Sequence, residues 1–254
     1  MLVGKRKFFR WSTIICELLL IGSITGVIEF GKGITVQEVI KISLADYFVL
    51  LDDATFKIFF MTPIFLWMLT EMIRDETRVQ VVIRKRNRVS IWGKLICKMV
   101  GVACLFSVNT VLVVFGVGGA DHAVFYNWNQ KHSLYWLNCE GTVLANPEVN
   151  LYVVALRFLI TELLLLSIIG CAFFICSYLC SNVVWGWLLC MGGMLILHTT
   201  QIQTDMLMDL SIQWQTWWYM EIWDKAALKI VFLLLLVILT GRYIAKKKEF
   251  LNEK

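Results

Sequence analysis

The sequence predicts an all-α, polytopic membrane protein: six transmembrane helices with short interfacial amphipathic helices. Three observations carry that prediction. Hydrophobic residues make up 59% of the 254-residue chain and charged residues 17%, against about a quarter charged in soluble domains. The apolar residues gather in runs of roughly 20, the length a helix needs to cross the hydrocarbon core, and the mean hydropathy is +0.71. Lys and Arg collect at the ends of alternate runs, and in short loops such residues stay on the cytoplasmic side.

The first expected span is about residues 11–30. Lys5, Arg6, Lys7 and Arg10 precede it and place its start in the cytoplasm. This opening resembles a signal peptide, but no A-x-A cleavage pattern follows and Glu17 interrupts the run, so it is read as a retained span. An outer segment, 31–54, comes next. In it Val36, Val39, Ile40, Ile42 and Leu44 are interspersed with Gln37, Glu38, Lys41 and Ser43, a pattern suited to an amphipathic helix at the outer interface. The second span, about 55–73, contains Pro63 near its middle, where a kink is expected.

The stretch from Arg74 to Lys94, RDETRVQVVIRKRNRVSIWGK, then organises the chain. It holds Arg74, Arg78, Arg84, Lys85, Arg86, Arg88 and Lys94 between two apolar runs, and so fixes both neighbours by the positive-inside rule. Val79, Val82 and Ile83 fall at i, i+3 and i+4, which places them on one face of a helix. Asp75 and Glu76 add the opposite sign of charge. Two readings follow from these residues: attraction to anionic lipid, or docking of a cytoplasmic partner.

The third span is about 91–117, with Ser90 as a candidate N-cap. Gly116, Gly118 and Gly119 are expected to break it. The outer segment 120–150 contains Trp128, Tyr135 and Trp136, and Asn146-Pro147 is expected to open the next helix. The fourth span, about 150–178, exceeds the usual 20 residues and must tilt or project. The tight turn Cys180-Ser181-Asn182 leads to the fifth span, about 183–198. The segment 199–225 carries Trp214, Trp217, Trp218, Tyr219 and Trp223, read as an interfacial aromatic anchor. The sixth span, about 226–243, precedes Lys246-Lys247-Lys248. Of 24 Lys and Arg residues, only Lys32, Lys41, Lys57, Lys131, Arg157, Lys225 and Lys229 fall outside the expected cytoplasmic ends and loops. That asymmetry puts both termini inside.

The residue inventory excludes several chemistries. There is no G-x-x-x-x-G-K-[ST], no H-E-x-x-H and no G-x-S-x-G. His122, His132 and His198 have no partner at i+3 or i+4 in a span, so neither a metal site nor any other bound cofactor is expected. Of eight cysteines, only Cys139 lies in a polar outer segment; the others sit in or beside apolar runs, where a thiol packs as a small hydrophobe. The net charge of +5 is accounted for by topology rather than nucleic acid. Candidate functional charges within spans are Glu17, Arg157 and Glu162, with Glu71 near the inner edge of the second. Arg157 and Glu162 are five apart, about 140° round a helix, so they are not expected to face each other. The competing reading of these charges is a structural ion pair or snorkelling.

This layout resembles the permease subunits of type-2 ABC exporters. The resemblance rests on six spans with both ends inside, a basic amphipathic loop between spans two and three, the tight turn after span four, and an outer segment before the last span. Locally, Arg84-Lys85-Arg86-Asn87-Arg88, then Trp92 and Lys94, is similar to that family's coupling region. By size and the lack of a fused ATPase, the chain looks most like small peptide-toxin and bacteriocin-immunity permeases of Gram-positive bacteria, including exporters of phenol-soluble modulins. The resemblance implies a bacterial plasma-membrane location, a permease dimer (homo- or heterodimer), and separate cytoplasmic ATPase subunits that bind ATP and Mg. It also implies that Arg78, Val79, Val82, Ile83, Arg84, Lys85, Arg86 and Arg88 dock the ATPase. Glu71, Asp75 or Glu76 would match the acidic residue near the start of the family's loop. Spans one, two and five would line the dimer interface or the substrate path, with Gly186, Gly192 and Gly193 allowing close helix approach. The alternatives are a permease for lipid, polysaccharide or drug, and a non-transporting membrane scaffold or intramembrane enzyme.

Overall fold

The computed structural model describes residues 2–35, 42–73, 88–120, 124–131, 133–139, 149–180, 182–199, 217 and 220–251. These form helices and connecting turns, with one isolated bridge, between Ser43 and Val124. The helices are α1 (Leu2–Thr35), α2 (Leu44–Leu51), α3 (Ala54–Phe56), α4 (Thr62–Ile73), α5 (Arg88–Ala120), α6 (Leu134–Asn138), α7 (Leu151–Cys180), α8 (Val183–Thr199) and α9 (Met220–Leu251). A π turn, Lys57–Met61, joins α3 to α4.

Four helices are long and apolar enough to cross a membrane, over Ile14–Gly33, Ser90–Ala120, Leu151–Cys180 and Trp223–Lys246. They match the expected spans one, three, four and six, each shifted by a few residues. The other two expected spans take a different form. Span five is a shorter apolar helix, Val183–Ile196. Span two is interrupted by the π turn, and Pro63 explains where. Proline has no N–H and its ring clashes with the carbonyl four residues back. The helix meets that demand by widening just before it, with the Thr62 N–H bonded to Lys57 C=O instead of the residue four back.

The bundle is built on α7, whose apolar stretch is half buried, the largest share among the four. On α1, Cys16, Leu20, Ile24 and Ile28 recur every fourth residue and are buried, while Ile14, Leu18, Ile21 and Phe30 face outward. On α5, Met99, Val102, Ala103, Phe106 and Val114 form the inward stripe. Phe106 meets Phe65 of α4 edge-on, and Phe48 of α2 packs against both Phe115 and Phe158. Such aromatic pairs contribute about 0.5–1.5 kcal/mol each beyond their burial.

Several expectations are corrected. Of the stretch expected to form a helix at the outer interface, only its end is described: Ser43 is an extended cap, and the helix that follows, α2, is buried along nearly its whole length. Residues 36–41 lie outside the described residues. The glycine run after Val113 does not break α5, which continues to Ala120. A Cβ at Gly118 would stand 2.3 Å from Leu44 Cδ2, so this glycine serves the close approach of α2. Ser90 lies inside α5, which begins at Arg88. Helix α7 starts at Leu151, and Asn146-Pro147 lies outside the described residues. Asn182 caps α8, accepting from Val184 N–H at 2.9 Å. Gly186 fits against Ser177 of α7, whereas Gly192 and Gly193 meet nothing within 4 Å.

Cys139 lies in a segment that the sequence marks as polar and outer. It ends α6 and is 3% exposed, packed with the core. A membrane-impermeant maleimide is expected to leave Cys139 unmodified in the folded protein and to react with it only after denaturation. Rapid labelling of the native protein at this position would contradict the packing of α6.

Candidate functional site

The polar interior is organised in two tiers beneath one end of the bundle. The outer tier is a cap formed by α2, residues 124–131, α6 and Trp217. Its centre is the Asp46 carboxylate, fully buried. One oxygen accepts from the Ser43 N–H at 2.8 Å and the Ser43 hydroxyl at 2.7 Å; the other accepts from Trp128 Nε1–H at 2.7 Å. A buried charge is tolerated when it collects such donors. Trp128 stacks on Tyr135 with centroids 4.9 Å apart and meets Trp217 edge-on at 5.6 Å. Burial, then the nearby Asp46 carboxylate, pushes the Tyr126 phenol up to about 12, so it stays neutral at any physiological pH.

The inner tier contains the ion pairs. Lys57 is the first residue of the π turn, and its Nζ donates a hydrogen bond to Asp52 Oδ1. The same ammonium lies 3.0 Å from Glu162 Oε1 of α7. That second approach is an ion pair within the buried cluster. The Asp52 and Glu162 side chains are 0% and 2% exposed. One cation thus ties the start of the α3–α4 helix and the residue that ends α2 to the central helix. Buried ion pairs of this kind favour one arrangement of helices more than they add net stability.

Five residues earlier on α7, Arg157 points to another neighbour. Its guanidinium carbon lies 4.9 Å from the Trp217 ring centroid and 4.8 Å from that of Trp223. Trp223 also directs its Nε1–H to Thr161 Oγ1 at 3.3 Å. The segment leading into α9 is therefore held to α7 by a cation between two indoles. Trp217 and Trp223 were expected as interfacial anchors; both are buried, and this contact is the reason. Trp214 and Trp218 lie outside the described residues.

Glu17 of α1 accepts from Asn109 Nδ2 of α5. Glu71 lies in the last turn of α4, half-buried. Arg88 opens α5. Arg78, Val79, Val82, Ile83, Arg84, Lys85 and Arg86 lie outside the described residues. Asp52 and Lys57 were not singled out, although a lysine inside an apolar run, five residues after an aspartate, is the signal that pointed to them. Among the described residues no cluster of three His, Cys, Asp or Glu is arranged to hold a metal ion. No known protein family matches the chain, and none of the curated proteins or solved structures compared with it does either.

Proposed function

We propose that the chain is the permease subunit of an ATP-driven exporter of the type-2 ABC class, moving amphipathic peptides out of a bacterial cell. One observation carries the reading. A stretch rich in positive charge, with Val79, Val82 and Ile83 at helical spacing in the sequence and charges of both signs, lies between α4 and α5, and the sequence contains no G-x-x-x-x-G-K-[ST] loop. In this reading the α3–α4 helix and α8 are the remaining two spans. Residues 54–73 and the 17 residues of α8 reach about 30 and 26 Å, close to the thickness of the hydrocarbon core. Both termini are then cytoplasmic, the plasma membrane is the location, and a second permease completes the pore. ATP and Mg belong to the separate ATPase, and ATP-driven closure of that partner biases a membrane dimer with two arrangements.

Apolar anchors carry binding energy at such a docking surface, and rim charges set orientation and rate. Changing Val82 and Ile83 together to Asp is expected to abolish capture of the ATPase in a pull-down. The chain should still insert, because the positive residues that orient it remain. Changing Arg84, Lys85 and Arg86 to Gln should weaken capture less, by removing its salt-sensitive part. An Asp variant that still binds the ATPase and couples hydrolysis to transport would reduce this stretch to a topological anchor.

A further inference from the structure

The end of the bundle where α5 starts, and where α7 and α9 finish, carries a contact made by Trp92, just beyond the proposed docking residues. Trp92 lies near the start of α5 and is 5% exposed. Its Nε1–H donates to the Ile238 carbonyl of α9 at 3.2 Å. Its ring meets Phe174 of α7 edge-on, with centroids 6.5 Å apart. Gly241 makes the contact possible: a Cβ there would stand 2.0 Å from Trp92 Cζ2 and 2.3 Å from Cη2. The last helix is keyed onto the first turns of α5 by one indole seated on one glycine.

Helix α9 is the least buried of the four long apolar helices, with Leu234, Val237 and Ile238 only partly buried against the core between its two ends. Its apolar stretch is 11% buried, against 50% for α7. At the cap end Trp223, Ala226 and Ile230 pack against Ile160, Leu164 and Ile168. Between the two attachments Phe232, Leu235, Leu236 and Leu239 face outward. Ile230 and Gly241 are about 16 Å apart along the helix. A stiff helix fixed at two separated points turns about one when the other is displaced, and packed helices shift in this way without repacking a core.

We propose that Trp92 and Gly241 form a joint that turns a displacement of the α5 start into a swing of α9 about its Trp223–Ile230 anchor. The source of the displacement rests on the docking reading, since α5 begins directly after residues 74–87. The joint itself rests on the contact geometry.

The test uses the full-length protein in lipid nanodiscs, with spin-label distances read by pulsed electron resonance. Cys97, Cys104 and Cys180, the exposed thiols, are first changed to Ser. One label pair joins Leu179 to Tyr243 at the Trp92 end; the other joins Leu156 to Leu228 at the cap end; all four positions are exposed. Gly241→Leu is expected to move the first pair by several ångström and leave the second unchanged. Gly241→Ala, the milder wedge, should move it less in the same direction. Equal movement at both ends, or none at either, would overturn the joint. Adding the partner ATPase with a non-hydrolysable ATP analogue should shift the first pair in the parent protein. It should leave that pair still in Trp92→Ala, compared with the parent at equal amounts of bound ATPase. A Trp92→Ala protein that responds like the parent would also overturn the proposal. If the parent captures no ATPase, the docking reading fails by itself, and the Gly241 variants still decide the joint.

Discussion

Lys57→Met is expected to produce the largest loss of stability of any single substitution in the described part of the chain. The change keeps the length of the side chain and removes the ammonium between Asp52 and Glu162. Two buried carboxylates are then left without the cation they shared. Removing one member of a buried ion pair destabilises by about 3–5 kcal/mol, most of it the penalty of the charge left behind. The thermal midpoint in detergent is expected to fall sharply, with loss of the folded fraction during purification. The comparison that isolates the cause is the triple change Asp52→Asn, Lys57→Met, Glu162→Leu. Replacing the whole cluster by neutral groups is expected to recover most of the loss, since buried ion pairs exchange with packed apolar groups at little net cost. An unchanged midpoint in Lys57→Met would show that the contact across α3–α4 and α7 does not form.

Arg157→Leu comes second. The guanidinium between Trp217 and Trp223 is desolvated, and a cation on an indole face contributes about 2 kcal/mol or more in such a setting. Its loss frees the segment entering α9 from α7, so the effect is local unfolding at that end before global unfolding. Tryptophan emission should move to the red as the indoles meet water or headgroups. Arg157→Lys keeps the charge but not the flat surface that two rings can sandwich, and is expected to recover only part of the effect. A Lys variant indistinguishable from wild type would mean that charge alone matters there. An emission spectrum unchanged in the Leu variant would contradict the sandwich itself.

The long helices were legible in the sequence because membrane crossing imposes a length and a composition that local windows report. The same rules did not reveal α2. Its short apolar run reads equally well as an interfacial helix, and what buries it is the distant pair of Asp46 and Trp128, 82 residues apart. The glycine run at 116–119 misled for a related reason. Glycine breaks a helix that has nothing to pack against, but Gly118 continues one where Leu44 and Tyr47 press close. Pro63 signalled a disturbance in span two, and the structure shows its form, a π turn that begins at Lys57. Helical spacing correctly separated Arg157 from Glu162, yet it could not name their partners. Those partners come from other helices, at separations that no periodicity records. The interfacial reading of Trp217 and Trp223 failed on the same ground, because an aromatic cluster near a span end looks alike whether it faces lipid or a buried arginine.

The proposed permease passes peptides through the membrane when a separate ATPase acts on it. Inverted membrane vesicles test it most directly. The vesicles carry the chain, its ATPase, both or neither, and a labelled amphipathic peptide is supplied outside with ATP. Accumulation of peptide inside the vesicles is expected only with both proteins and hydrolysable ATP, and is expected to vanish when Val82 and Ile83 are changed to Asp. Accumulation that needs the chain but not ATP, or none at all while the ATPase is bound and hydrolysing, would rule out ATP-driven export by this chain.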